Sequence, residues 1–254
     1  MMVRPSVIAA VALAVLAACA ANDVVTKINP PVGQVPVHIQ RAVNSAERPE
    51  AARGRDAGRK PKELLTLAGL KEGDRVVEIA SFGQYYSMIL ADAVGPKGKV
   101  YMYDLPYMKA RSEGPTRAFV AAHPNTEYTI GKFDELDYPK NVDLVTINLY
   151  YHDLQPNGVD TAAFNRKIFQ ALKPGGRVLI EYHDAEAGSG WRDAKTKHRM
   201  EAKLIVEEMK AAGFDLLIDS NILANPNDDL TKMVFEKGYR GTTDRAVYVF
   251  QKPR

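Results

Sequence analysis

The chain has 254 residues, with 34 Lys and Arg against 31 Asp and Glu, and so a net charge of +3. Hydrophobic residues make up 46% and charged residues 26%, which excludes disordered, collagen-like and polytopic membrane proteins. The nearly balanced charge argues against a dedicated nucleic-acid-binding protein, so we expect no nucleic-acid partner. A single cysteine excludes an intramolecular disulfide and a cysteine-based zinc site.

The N-terminus has the pattern of an export signal. Arg4 precedes an apolar, alanine-rich run over residues 7–18, shorter than the about 20 strongly apolar residues of a transmembrane helix. The sequence Leu-Ala-Ala-Cys at residues 16–19 resembles the lipobox of bacterial lipoproteins. This resemblance implies cleavage before Cys19, lipidation of its thiol and, with Ala20 next, a periplasmic protein anchored to the outer membrane. Ordinary cleavage after Ala20 is the alternative, and it also gives an exported protein.

The chain divides into three predicted segments. These are a lipoprotein-type signal peptide at residues 1–18, a tether and polar lead-in at residues 19–60, and one folded domain at residues 61–254. The lead-in is rich in proline, ends in the mixed-charge run 53–60 and has no convincing apolar period. We therefore expect it to dock on the domain as a polar segment.

From residue 61 onward, short β-rich runs alternate with helical patterns, which predicts a parallel sheet with crossover helices. The predicted helices cover residues 61–70, 85–94, 108–122, 162–172 and 200–212. The predicted strands cover residues 75–80, 99–104, 127–130, 142–149, 177–182, 214–223 and 245–251. The last two strands are joined by a long polar segment, residues 224–244, which permits an antiparallel last strand and is typical of a binding loop or lid.

Several motifs of this domain resemble those of the Rossmann-like, S-adenosylmethionine-dependent methyltransferases. The first strand carries Glu78 before a turn, the second ends in Asp104, and Phe133 and Asp134 follow the third. A Leu-Lys-Pro-Gly-Gly sequence precedes the fifth strand. The resemblance implies a doubly wound, mostly parallel seven-stranded α/β sheet with an antiparallel last strand.

The chain is most similar to a subgroup of exported bacterial methyltransferases. That subgroup shares an opening like residues 55–65 and a tail like residues 225–228 and 240–245. The resemblance implies a methyltransferase of the cell envelope that acts on a small molecule. It also implies S-adenosylmethionine as cofactor, held by Glu78, Gly83, Asp104, Phe133, Asp134 and Asn148.

The turn after the first strand departs from the subgroup, which has three successive glycines there. This chain has Phe82, Gly83 and Gln84. Glycines allow positive φ and a close approach of the cofactor to the backbone, so we expect Phe82 and Gln84 to stand in the cofactor's path. A non-catalytic binding protein on a degenerate methyltransferase fold is therefore an alternative. The structural alternatives for the two carboxylates are that Asp104 caps the helix that follows it and that Glu78 bonds backbone amides of the turn.

The tripeptide Tyr-His-Asp occurs twice, at residues 151–153 after the fourth strand and at residues 182–184 at the end of the fifth. These strands are neighbours in the implied fold, so we expect His152 and His183 to face one cavity. We assign His152, His183 and Asp153 to acid–base catalysis, because histidine exchanges protons near neutral pH. The alternatives are a divalent metal held by these segments, for which no recognised motif exists here, and a purely structural role.

The predicted substrate-binding residues come from three parts of the chain. They are Tyr85, Trp191, Arg192, His198 and Arg240. Trp191 and Arg192 stand in a glycine-containing loop, and Arg240 suits an anionic substrate. The alternatives are that Trp191 only covers the core and that Arg240 pairs with nearby aspartates.

Overall fold

The computed structural model describes residues 32–254. The predicted signal peptide and Cys19 lie outside the described residues. The helices are α1 (Val37–Asn44), α2 (Glu50–Arg53), α3 (Asp56–Arg59), α4 (Pro61–Ala68), α5 (Tyr85–Val94), α6 (Lys109–Ala122), α7 (Thr161–Ala171), α8 (Ala194–Lys197) and α9 (Ala202–Ala211). The strands are β1 (Arg75–Ile79), β2 (Lys99–Asp104), β3 (Thr126–Ile130), β4 (Val142–Asn148), β5 (Leu172–His183), β6 (Asp215–Ser220) and β7 (Arg245–Gln251).

The strands form one sheet in the order β3-β2-β1-β4-β5-β7-β6. Strands β1 to β5 pair in parallel, whereas β7 runs antiparallel to both of its neighbours, β5 and β6. The long connection from β6 allows the chain to return in this direction without a crossover helix. The predicted doubly wound sheet with an antiparallel last strand is confirmed.

Both faces of the sheet are buried, because successive residues of a strand point to opposite sides and each side carries helices. On β1, Val76 packs in a cluster with α1, α4 and α5, whereas Val77 packs in a second cluster with α7 and α9. The central strands are therefore fixed from two sides. The carboxyl ends of these strands, where the predicted site lies, are therefore held in fixed positions.

The part of the lead-in that the structure describes is helical. α1 buries Ile39, Ala42 and Val43 in the same cluster as α5. Arg48 is buried and makes a bidentate ion pair with Asp56, both bonds being 2.8 Å long. The sequence pattern missed these helices because α1 has one short apolar face and α2 and α3 are single turns. No helix among residues 32–254 is long and apolar enough to cross a membrane.

Candidate active site

A cavity of about 420 Å³ opens at the carboxyl ends of β1, β4 and β5, and we call it the inner cavity. Glu78 and Gly83 line it on the β1 side, Asn148 and His152 on the β4 side, and His183 at the end of β5. An adjoining outer cavity measures about 340 Å³. The residues that line both cavities are Arg55, Arg59, Leu149, His183, Phe235 and Arg240. This is the edge at which doubly wound sheets bind their ligands.

The turn between β1 and α5 keeps the backbone conformation that glycines favour, although two of its residues carry side chains. Ala80, Gly83 and Gln84 have φ of 60°, 80° and 49°. Gln84 donates from Nε2 to Thr116 Oγ1 at 2.7 Å and does not line the cavity, so the expectation that it stands in the cofactor's path is wrong. Phe82 does line the inner cavity, with its ring edge-on to Tyr150 at 6.2 Å.

Glu78 supplies the one carboxyl group in the walls of the inner cavity, as far as the described residues go. Its Oε2 accepts a hydrogen bond from Ser87 Oγ at 2.6 Å. Burial raises the pKa of Glu78 to about 8, and the nearby charge of Asp104 adds to this effect. At neutral pH the group is therefore mostly an uncharged acid that can donate as well as accept.

Asp104 fastens the turn to β2. One of its carboxylate oxygens accepts from the Phe82 amide at 3.1 Å and from Ser81 Oγ at 3.4 Å, and the other accepts from Tyr128 Oη at 2.8 Å. The side chain is fully buried and does not line either cavity. In this structure Asp104 is bonded to the turn after β1 and does not cap the helix that follows it, and its role as a cofactor ligand stays a prediction.

Two further residues of the predicted cofactor set lie away from the cavities. Phe133 is fully buried in the core, with its ring 6.1 Å from that of Tyr150. Asp134 accepts from the Asp160 amide at 3.0 Å and lies 3.3 Å from Lys132 Nζ. Asp134 Oδ1 is buried with no hydrogen-bond partner among the described residues. Neither residue lines a cavity, and their roles as cofactor ligands stay predictions.

His152 and His183 lie beside each other in the inner cavity, with ring centroids 5.7 Å apart. Burial lowers the pKa of His152 to about 4, against the opposing effect of Asp153, and also lowers the pKa of His183 well below its ordinary value. His183 Nδ1 is hydrogen-bonded to Thr243 Oγ1 at 2.9 Å. Both imidazoles are therefore neutral at pH 7 and able to accept a proton. This placement agrees with the expectation from the sequence, and the catalytic roles stay predictions.

Asp153 lies between two imidazoles beneath the cavity. Its Oδ1 is 2.9 Å from His198 Nδ1, and its Oδ2 is 3.7 Å from His152 Nε2. The hydrogen bond with Asp153 raises the pKa of His198. One ligating atom from each of the three residues lies within 4.8 Å of the others, a spacing that a metal ion requires and that a plain ion pair also explains.

The structure brings two of the five predicted substrate-binding residues to the cavities. Tyr85 lines the inner cavity and donates from its hydroxyl to Asp56 at 2.6 Å, and Arg240 lines both cavities. The other three lie elsewhere because each is held by a carboxylate. Trp191 Nε1 donates to Glu208 at 3.1 Å, and the Trp191 ring stacks on Tyr151. Arg192 is bound to Asp193 and Glu186. His198 is bound to Asp153.

Arg55 and Arg59 line both cavities and were not predicted as site residues. Their guanidinium carbons lie 4.7 and 4.6 Å from the centroid of the Tyr85 ring. Phe235 was missed as well; it is 51% exposed and stands at the same opening. The opening motif of the subgroup was the only signal for the two arginines, and nothing in their local pattern points to a cavity.

The sheet order and the cavity at the carboxyl edge are those of the Rossmann-like methyltransferase fold. The sequence profile of the ubiE/COQ5 methyltransferase family matches residues 59–237, most of the chain, and the chain belongs to this family. S-adenosylmethionine, predicted from the sequence, is therefore its cofactor.

Relatives of known function agree with this family. The ubiquinone/menaquinone biosynthesis C-methyltransferase of Hydrogenovibrio crunogenus is 25% identical over 194 residues, which cover 74% of this chain and 72% of that protein. The corresponding enzyme of Teredinibacter turnerae is 30% identical over 123 residues, 47% of each chain. The chain thus spans about half the length of some of these relatives.

Solved structures show the same fold. A methyltransferase from Aquifex aeolicus dependent on S-adenosylmethionine matches with a TM-score of 0.57 at 19% identity, covering 78% of this chain and 92% of that one. The [4+2]-cyclase SpnF matches with a TM-score of 0.59 at 17% identity, covering 82% and 85%. At such identities these similarities establish the fold alone.

The inner cavity fits the cofactor. Asn148 lines it, and its side-chain Oδ1 is buried with no hydrogen-bond partner among the described residues. The space beside Gly83 is open, since a Cβ there would meet no atom within 4 Å. Glu78, Gly83 and Asn148 would therefore hold S-adenosylmethionine, which supplies an electrophilic methyl group when bound.

Proposed function

We propose that this protein is an exported methyltransferase of the cell envelope that methylates a small molecule held in the outer cavity. The observation that carries the proposal is the position of His183, which lines both cavities. A base at this boundary stands between the space that fits the cofactor and the space open to an acceptor. Methyl transfer depends chiefly on proximity and orientation, which two adjoining cavities provide.

His183 is neutral at pH 7 and its ring is held in place by a hydrogen bond, as a general base requires. In the tautomer whose Nδ1–H donates to Thr243 Oγ1, Nε2 keeps a lone pair. The base accepts the proton that the acceptor loses as its nucleophilic atom is methylated, and neutral His152 beside it adds no competing charge at pH 7.

Transfer of a labelled methyl group tests the proposal. The mature protein is incubated with [methyl-³H]S-adenosylmethionine and small-molecule extracts of bacterial envelopes, and the labelled products are separated and counted. We expect product with the wild type and a loss of kcat of about 10²-fold or more in His183→Gln, with unchanged binding of S-adenosylhomocysteine. His123→Gln, at the end of α6, is the matched control. Equal rates in His183→Gln and wild type would refute the role of His183.

The envelope location is a separate part of the proposal and rests on the Leu-Ala-Ala-Cys sequence at residues 16–19. We expect Cys19→Ser to release the protein from the membrane fraction or to leave an unprocessed precursor. Unchanged processing and unchanged partition into membranes would contradict lipidation of Cys19.

A metal-dependent reaction is the second candidate, favoured by the grouping of His152, Asp153 and His198. Metal analysis of protein purified without a histidine tag tests it. A stoichiometric divalent metal that is lost in Asp153→Asn supports this candidate, and protein that is active without metal rules it out.

A further inference from the structure

The walls of the outer cavity carry one sign of charge. Four arginines line it, namely Arg55, Arg59, Arg240 and Arg245, and no aspartate or glutamate does so among the described residues. Arg245 is already neutralised by the buried Glu181, with Nη1 3.0 Å from Oε1. The remaining positive charge of the cavity therefore belongs to the other three.

The side chains of Arg55, Arg59 and Arg240 form no ion pair or hydrogen bond within residues 32–254. Arg55 and Arg59 lie over the face of Tyr85, and the Arg240 guanidinium carbon is 5.5 Å from the ring centroid of Phe235. The nearby carboxylate of Asp56 is occupied by Arg48 and by the Tyr85 hydroxyl. Partial burial together with the charges of Arg59 and Arg240 lowers the pKa of Arg55.

These arginines arrive from opposite ends of the chain. Arg55 and Arg59 belong to the helical lead-in, which the Arg48–Asp56 ion pair holds in place, and Arg240 belongs to the β6–β7 connection. The nearest carboxylate that Arg59 acts on, Glu181, is already paired with Arg245. Three like charges that converge on one opening with no carboxylate among the described residues of its walls cost free energy, which a bound anion would offset. Planar guanidinium groups match carboxylate and phosphate oxygens in pairs.

We propose that Arg55, Arg59 and Arg240 bind a carboxylate or phosphate group of the methyl acceptor, so that the substrate is a small anionic molecule. This inference rests on the proposed function, because only a methyltransferase has a methyl acceptor. The body of the molecule lies against the apolar side chains of the same cavity, Leu149, Val234 and the exposed ring of Phe235. Its reacting atom then lies toward His183, which lines the same cavity.

Calorimetric titration at low ionic strength tests the site directly, with inorganic phosphate and benzoate as probes. The proteins are mature wild type and the double variant Arg55→Gln/Arg240→Gln. Arg166→Gln is the control, since Arg166 is an exposed arginine of α7 outside both cavities. We expect both probes to bind the wild type and the control and to bind the double variant at least tenfold more weakly. Equal affinities in all three proteins would overturn the proposal.

The carboxylate of the cofactor is the other possible source of the same chemistry, so the titration is repeated with S-adenosylhomocysteine and with 5′-methylthioadenosine, which lacks that carboxylate. We expect the double variant to bind both nucleosides as the wild type does. A loss confined to S-adenosylhomocysteine would overturn the assignment to the acceptor. If the wild type binds neither nucleoside, the proposed function fails, while the phosphate titration still decides whether the anion site exists. The single variants Arg55→Gln and Arg240→Gln, in different parts of the chain, replace the double variant if it does not fold.

Discussion

Two buried ionisable side chains in the inner cavity respond to pH in opposite ways. Burial lowers the pKa of His152 from 6.5 to about 4, so the unfolded chain binds the extra proton between these values. Burial raises the pKa of Glu78 from 4.5 to about 8, so here the folded chain binds the extra proton. The free energy of unfolding that depends on neutral His152 falls as the pH drops from 6.5 to about 4. The free energy of unfolding that depends on protonated Glu78 falls as the pH rises from 4.5 to about 8.

The first prediction concerns His152. Between pH 7.5 and pH 5, we expect the wild type to lose on the order of 2 kcal/mol of unfolding free energy through this residue. His152→Gln, which cannot take up the proton, should lose that much less over the same range. Urea denaturation of both proteins at the two pH values measures the difference. Parallel pH profiles of wild type and variant would show that His152 is not buried in its neutral form.

The second prediction concerns Glu78. Replacing it with Gln keeps the acceptor for Ser87 Oγ but removes the ionisation, so Glu78→Gln should exceed the wild type in unfolding free energy by about 2–4 kcal/mol at pH 8 and much less at pH 5. Thermal and urea unfolding at both pH values provide the measurement. A variant that is less stable than the wild type at pH 8 would contradict the raised pKa.

At the residue scale, part of the site follows from the strand pattern together with the strand order that the family resemblance implied. Glu78, Asn148, His152 and His183 meet because each stands at or just beyond the carboxyl end of a central parallel strand, which the apolar runs reveal. Asp104 stands at such an end too, yet it bonds the turn after β1, a choice that depends on Tyr128 of a neighbouring strand. Sequence shows which end a residue occupies but not which partner its side chain finds.

The connection between β6 and β7 is held by one buried ion pair. Arg199 and Asp228 are both fully buried, with 2.9 Å between Nη2 and Oδ2. Arg199 also donates to the Lys232 and Asp184 carbonyls at 2.8 and 2.9 Å. This pair ties the connection to the segment that follows β5, and so it sets where Arg240 and Phe235 stand at the cavity.

The third prediction tests this pair. Arg199→Met leaves Asp228 buried without its counter-charge, so we expect a loss of about 3–5 kcal/mol of unfolding free energy and faster amide hydrogen exchange over residues 224–244. Lys203→Met, which breaks the exposed 3.5 Å pair with Glu207, is the matched control and should cost less than about 1 kcal/mol. Similar losses in the two variants would show that the Arg199–Asp228 pair does not hold the connection.

At the element scale, the central strands and the longer helices were predictable because their apolar patterns run over many residues. Helices α1 to α3 were not, since α1 buries only Ile39, Ala42 and Val43 and the other two are single turns. β5 begins at Leu172, the last residue of the predicted helix 162–172, because the Lys-Pro-Gly-Gly sequence leads directly into the strand. Short elements are stabilised by contacts with residues distant in sequence, and a local sequence pattern does not predict such contacts.

At the scale of the whole molecule, the two cavities are lined by different parts of the chain. The sheet ends supply the neutral polar groups of the inner cavity, whereas the lead-in and the β6–β7 connection supply the arginines of the outer one. The fold was predictable because strand and helix patterns alternate along the chain and because its motifs resemble those of the Rossmann-like methyltransferases. The outer cavity was not, because its walls come from segments far apart in sequence whose arrangement depends on the Arg48–Asp56 and Arg199–Asp228 pairs.

The most direct test of this account is calorimetric titration of the purified protein with S-adenosylmethionine. We expect saturable one-to-one binding in the wild type and about tenfold weaker binding in Asn148→Leu, which removes the unpaired acceptor in the inner cavity. Asn221→Leu, at an exposed position after β6, should bind like the wild type. Absence of binding to the folded wild type at millimolar cofactor would contradict the account, and would leave a methyltransferase fold that binds something else.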